Sequence, residues 1–71
     1  LSVQQGNNKI VGKTIGQSGL RLNHGITVLA IKRGNRYLTD ITPSTTINQD
    51  DVLYIFGNAN KIAKVNQYLK L

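Results

Sequence analysis

Gly25-Ile-Thr-Val-Leu-Ala-Ile-Lys-Arg-Gly34 decides the fold. In an extended chain Ile26, Val28 and Ala30 share one face, and Leu29 and Ile31 share the other. Apolar side chains on both parities predict a central strand covered on both sides, because a half-exposed strand alternates apolar with polar. Lys32 and Arg33 mark the point where the strand reaches water. Gly34-Asn35 supplies the flexible pair of a tight hairpin. A second run, Asp51-Val-Leu-Tyr-Ile-Phe-Gly57, has the same two-sided apolar character and predicts the next strongest strand.

Outward from these strands, the remaining segments take shape. Leu1 to Gln5 is expected as a short edge strand, followed by a turn at Gly6-Asn7-Asn8. Thr14-Ile-Gly-Gln17 fits a capping box, with Thr14 as N-cap and Gln17 reaching back. A helix is expected from Ile15 to about Asn23, stopped by Gly25. Its core stripe is Ile15, Gly19 and Leu22, which leaves Leu20 and Arg21 exposed. Gly16 and Gly19 each cost ~1 kcal/mol relative to Ala in a helix, which points to close approach of a strand, a partner subunit or a ligand. Tyr37 to Ile41 is expected as the hairpin's second strand, broken by Thr42-Pro43-Ser44. Asn58 or Asn60 caps a last helix with Ile62, Val65 and Leu69 buried and Lys61, Lys64 and Lys70 in water. The expected fold is α+β, in the order β-α-β-β-β-α, with helices packed on a mostly antiparallel sheet.

Composition narrows the functional classes. Seventy-one residues make one small domain. The chain opens on Leu1, as expected of a piece excised from a longer protein, so residues 1–71 are read as one domain of it. With no cysteine, one histidine and three aspartates, neither a disulfide nor a dedicated transition-metal site is expected. Small domains without such staples often stabilise themselves by oligomerising, so a homodimer is expected. No apolar run is long enough to span a bilayer, and no signal peptide is visible. The lack of cysteine is compatible with a cytosolic setting. The formal net charge is +6, which favours an anionic partner, although a solvated basic surface accounts for the same balance. The basic residues are scattered, and the aromatics Tyr37, Tyr54, Phe56 and Tyr68 do not form the platforms that long nucleic acids need. Direct binding of nucleic acid or lipid is therefore not expected.

Catalysis is not expected either. His24 has no orienting carboxylate near it in sequence, and Asp50-Asp51 reads as a strand-entry turn. Gly12-Lys-Thr14 has the end of a phosphate loop but Asn7 where the first glycine would stand, so that reading is set aside. Leu20-Arg21-Leu22-Asn23-His24-Gly25 offers more: a guanidinium, an amide and an imidazole at a helix end, with Leu20 and Ile15 able to flank a base. Asn23 and His24 acting only as a helix C-cap is the plain alternative.

Val11-Gly-Lys-Thr-Ile15, Leu20-Arg21, Gly25 to Gly34, Pro43-Ser-Thr-Thr and Asp51 to Gly57, at these spacings, resemble the RCK C-terminal domain, also called TrkA-C, over nearly the whole chain. One departure is visible. The family usually has glycine before the strand-opening aspartate, and here that residue is Asp50. The resemblance implies a dimeric domain on the cytoplasmic side of the membrane, attached to the membrane-embedded portion of a potassium or other cation transporter. A cation/proton antiporter is favoured over a Ktr-type uptake system. It also implies cyclic di-AMP as a regulatory ligand at the dimer interface. Carried over by position, Ile15, Gly16, Leu20 and Leu22 match positions around the adenines, and Arg21 matches a ligand-bonding arginine. Asn23, His24 and Gly25 match the turn beside the phosphates, and Pro43 matches a loop residue closing over the base. Gly16 departs from the bulky apolar residue of uptake-system members. A purely structural dimerisation domain and the sensor of a DNA-binding regulator are the competing expectations.

Overall fold

A computed structural model describes residues 1–3 and 9–69. Helix α1 (Ile15–Ser18) is followed by strands β1 (Thr27–Arg33), β2 (Arg36–Leu38) and β3 (Val52–Phe56), and helix α2 (Ala59–Leu69) ends the described chain. The sheet is antiparallel in the order β2-β1-β3, so the stretch read first is its central strand. The expected first strand is reduced, among the described residues, to a bridge between Ser2 and Val52 with backbone hydrogen bonds from Val3 to Asp51 and from Leu53 to Leu1. The turn expected at Gly6-Asn7-Asn8 lies outside the described residues, as does Lys70.

The two-sided character of β1 has another cause than the one expected. Val28 pairs with Ile55 and Ala30 with Tyr54, so Leu29 is an extra residue inserted in β1, a β-bulge. The insertion flips the parity. Val28 and Ile31 both reach the core, while Leu29 is exposed. Apolar residues on both parities thus report a bulged strand with one covered face. The other face is open and carries the exposed Tyr37, Tyr54 and Phe56. In β3 the alternation is regular, with Leu53 buried between the half-buried Val52 and the exposed Tyr54.

The core joins Val3, Ile10, Leu20, Ile26, Val28, Ile31, Ile47, Leu53, Val65 and Leu69. Each such side chain contributes roughly 1.5–3 kcal/mol when fully withdrawn from water. Helix α2 supplies Val65 and Leu69 as expected, with Ile62 packed at the margin. Asn58 caps it, its Oδ1 accepting from the Lys61 N–H at 2.8 Å.

Helix α1 starts as expected and ends early. The Gln17 N–H donates to Thr14 Oγ1, and the Thr14 N–H donates to Gln17 Oε1, both at 3.1 Å, completing the capping box. Gly19, at φ 70°, then closes the helix after four residues. The expected stop at Gly25 is a second left-handed position, at φ 66°. The early stop inverts the expected stripe. Leu20 turns inward and is 1% exposed, and Leu22 turns outward and is 90% exposed. The Leu20 carbonyl accepts from the Ile26 N–H at 2.9 Å, fastening the turn to the start of β1.

Candidate functional site

The inverted turn builds a groove. Its floor is the beginning of β1, with Ile26, Thr27 and Val28. One wall is the start of α1 and the turn after it, with Ile15, Gly16, Arg21 and Leu22; the other is the segment Ile41-Thr42-Pro43. The volume is about 540 Å³, within the roughly 300–1,000 Å³ of small-molecule sites.

The Pro43 wall is held from both sides. The Gly16 N–H donates to the Pro43 carbonyl at 2.9 Å, and the Ile15 N–H donates to that of Thr45 at 2.8 Å. Within the loop, Thr45 Oγ1 accepts from the Thr42 N–H at 3.1 Å and Thr42 Oγ1 accepts from the Ser44 N–H at 3.2 Å. These bonds tie the loop's own polar backbone and leave the proline ring as its apolar surface. Gly16 is explained by the same contact. A Cβ there would stand 3.2 Å from the Pro43 carbonyl oxygen and 3.4 Å from Pro43 Cβ. A side chain at position 16 requires the Pro43 segment to give by a few tenths of an ångström.

Of the residues expected at the site, Ile15, Gly16, Arg21, Leu22 and Pro43 line the groove. Leu20 does not. It was expected on the exposed side and instead lies buried beneath the turn, so it fixes Arg21 and Leu22 from below. Asn23 and His24 line a neighbouring, smaller concavity with Lys61 and Lys64. Gly25 lines neither; its missing side chain makes way for Lys61. The groove also uses Ile26, Thr27, Val28, Ile41 and Thr42, which the sequence reading did not single out. Ile26 to Val28 directly follow the turn and were available to that reading. Ile41 and Thr42 come to the site through long-range pairing.

Arg21 is exposed, and its side chain has no hydrogen-bond or ion-pair partner among the described residues. A guanidinium without a carboxylate, at the edge of an apolar groove, is suited to an anionic ligand with a flat apolar part. The repulsion of anions by a helix C-terminus is small here, because α1 has four residues and its dipole is correspondingly short.

The other arginine of the region is occupied. Arg33 Nε donates to Asp51 Oδ1 at 2.9 Å, and Arg33 Nη2 donates to Asp51 Oδ2 at 2.8 Å and to the Thr46 carbonyl at 2.9 Å. The Asn48 N–H adds a bond to Asp51 Oδ2 at 2.9 Å. Burial by itself would push the buried Asp51 carboxyl up; the hydrogen bonds from Arg33 and Asn48 and the Arg33 charge outweigh it and hold it below its ordinary value. The Asp50-Asp51 pair is thus a strand-entry turn, as its composition suggested, with Asp51 as its anchor.

The TrkA-C domain family model matches residues 5–70. Potassium channel protein 1 of Methanocaldococcus jannaschii is 34% identical over 64 residues, covering 90% of this chain and 19% of that protein. Ktr system potassium uptake protein C of Bacillus subtilis is 29% identical over 58 residues, covering 82% of this chain and 26% of that protein. The chain therefore spans about a fifth to a quarter of the length of these relatives. Among solved structures, the RCK_C domain dimer of S. agalactiae BusR in complex with c-di-AMP superposes with a TM-score of 0.85 at 23% identity, covering 97% of this chain and 90% of that one. The RCK C domain of the potassium transport protein KtrA in complex with c-di-AMP superposes with a TM-score of 0.82 at 24% identity, covering 96% and 79%. BusR in complex with its busAB-promotor DNA matches at 0.85 and 23% identity, with 97% of this chain but 33% of that one covered. At these identities the structural likeness establishes the fold.

Proposed function

The chain belongs to the TrkA-C domain family, and from that premise we propose that it is the cytosolic regulatory domain of a monovalent-cation transport system, binding cyclic di-AMP across a homodimer interface. The observation that carries the proposal is the Arg21 side chain, without a partner among the described residues, beside the apolar groove of Ile15, Gly16, Leu22 and Pro43. Ile15, Leu22 and the Pro43 ring offer apolar surfaces to an adenine. Arg21 offers a charged donor. Asn23, His24 and Gly25, next along the turn, stand toward the phosphates, and Leu20 sets the turn from beneath. A two-fold ligand suits a two-fold interface, because each half makes identical contacts. The role is control by ligand binding and includes no reaction at the groove. The antiporter assignment of the parent protein belongs to the same proposal and rests on the family resemblance alone; the relatives named above are a potassium channel and a potassium uptake protein.

A second reading is the sensor domain of a DNA-binding regulator. It is favoured by the fold match to BusR bound to promoter DNA. Both readings share the groove and differ in what the domain is attached to; transmembrane segments in the full-length gene select the first.

Isothermal calorimetry of the domain with cyclic di-AMP, cyclic di-GMP and AMP tests the ligand. The expected result is saturable binding of cyclic di-AMP at one molecule per two chains, with light scattering reporting a dimer. One ligand per chain, a monomer when saturated, or no preference over AMP overturns the proposed geometry.

A further inference from the structure

The core fills one face of the sheet and leaves the other open. In the sequence the aromatic residues of the strands stand apart, at 37, 54 and 56. The strand register gathers them. Tyr37 lies opposite Lys32 across β2 and β1, and Tyr54 lies opposite Ala30 across β3 and β1. Residues directly opposite one another share a face, as do residues two apart along a strand. Tyr37, Lys32, Ala30, Tyr54 and Phe56 therefore occupy one surface, and the three rings are exposed on it. The Tyr37 and Tyr54 ring centres are 6.3 Å apart, so the two rings are neighbours in one row.

Charge on this surface has one sign. None of the three strands contains an acidic residue. Lys32 Nζ stands 5.8 Å from the centre of the Tyr37 ring, and Arg36, next to Tyr37 on β2, is exposed. Neither cation has an ion-pair partner among the described residues, and the Asp51 carboxylate is taken by Arg33. The net charge of +6 adds a long-range attraction for anions. A second copy of this chain would bring more positive charge to the surface instead of cancelling it. A complementary occupant carries negative charge and flat apolar groups in alternation, as cations and rings alternate here. A single nucleic-acid strand has that form, with a phosphate at each residue and a base whose π face stacks on any aromatic ring.

We propose that the open sheet face binds single-stranded nucleic acid through Tyr37, Tyr54, Phe56 and Lys32, without sequence preference. The scattered aromatics become a platform only in the folded sheet, so composition alone does not predict this partner. None of these four residues lines the groove, and the site is independent of the ligand proposed there.

Fluorescence anisotropy of a labelled oligothymidylate of about 12 nucleotides, titrated with the domain at low salt, tests it. Saturable binding is expected, with log affinity falling against log salt by roughly 0.7 for each phosphate engaged. Tyr54→Leu and Phe56→Leu are each expected to weaken it at least about fivefold. Leucine keeps an apolar side chain at an exposed strand position, so the fold stands and the π face alone is lost; circular dichroism checks the fold. Lys32→Ala is expected to lower the salt slope by roughly 0.7, and Arg21→Ala to change nothing. An oligouridylate of the same length identifies the strand: tighter binding than oligothymidylate assigns RNA, and equal or weaker binding assigns DNA. Absence of saturable binding, full affinity in both leucine variants, or loss of binding in Arg21→Ala overturns the proposal. If no oligonucleotide binds, a dimer that Tyr54→Leu dissociates assigns the face to a second copy, and cosedimentation with phosphatidylserine vesicles that Tyr54→Leu abolishes assigns it to a bilayer; either replaces this proposal. Failure of cyclic di-AMP to bind the domain leaves this face untouched.

Discussion

Arg21 stands just before β1 and Arg33 closes it, and the two do opposite things. Arg33 gives its donors to the buried carboxylate of Asp51 and to the Thr46 carbonyl. Arg21 gives none to any described residue and lies on the wall of the apolar groove. The difference sets an arginine that holds the fold against one whose charge no described residue engages. Where the partner is in the chain, the bidentate geometry ties a loop to a strand. Where it is absent, the charge remains available.

The strongest challenge to this contrast is Arg33→Ala. Removing one member of a buried pair leaves an uncompensated charge, typically at a cost of 3–5 kcal/mol. Because the Arg33 side chain is 35% exposed, water screens part of that, and we expect a loss of about 2–3 kcal/mol by urea denaturation. The pH dependence carries the same signature. The folded Asp51 carboxyl titrates below its ordinary value. Its contribution to stability is therefore present above the unfolded carboxyl's pKa, ~3.9, and is lost as pH falls through the lower, folded value. Arg33→Ala should flatten that acid limb. A loss under about 0.5 kcal/mol with the acid limb intact would show that Arg33 is as free as Arg21.

Arg21→Ala inverts the pattern. Its stability should stay within about 0.5 kcal/mol of the parent. Calorimetric affinity for cyclic di-AMP should fall at least about tenfold, since each half of a dimer would lose a charged hydrogen bond. Unchanged affinity places the ligand elsewhere; a large loss of stability makes Arg21 a second structural arginine.

Local signals in the sequence carried much of this. The capping box at Thr14 and Gln17, the α2 stripe and the central place of β1 follow from neighbours in the chain, and they appear as read, whereas the first of the four expected strands is, among the described residues, only a bridge at Ser2. The helix end did not, because Gly19 and Gly25 both offer a left-handed stop and the helix closes at the earlier one. The glycines at 16 and 19, poor helix formers, already weighed toward the earlier stop. The earlier stop exchanges the environments expected for Leu20 and Leu22. The bulge at Leu29 was hidden because an inserted residue and a doubly covered strand leave the same apolar run. Two contacts were beyond any local signal: Gly16 against Pro43 and Arg33 against Asp51, each joining segments distant in sequence.

The smallest expected effect sits beside the Arg33 anchor. Asp50 has φ 69°, the left-handed region, and its N–H donates to the Val3 carbonyl at 2.6 Å. The turn it makes delivers Asp51 to Arg33. An L-residue is strained there by roughly 1–2 kcal/mol, and less for aspartate, whose short polar side chain is tolerated. Glycine, the residue the family usually carries at this point, removes that strain but gives the unfolded chain more freedom, which costs roughly 0.4–1 kcal/mol. The two terms nearly cancel. Asp50→Gly should therefore raise stability by no more than about 0.5 kcal/mol, and Asp50→Asn, which keeps a side chain suited to φ > 0 while removing the charge, should leave it nearly unchanged. Urea denaturation of the pair separates backbone from charge. If Asp50→Gly and Asp50→Asn are destabilised alike, the Asp50 carboxylate supports the anchor electrostatically, and the tie at Arg33 extends one residue further than its hydrogen bonds.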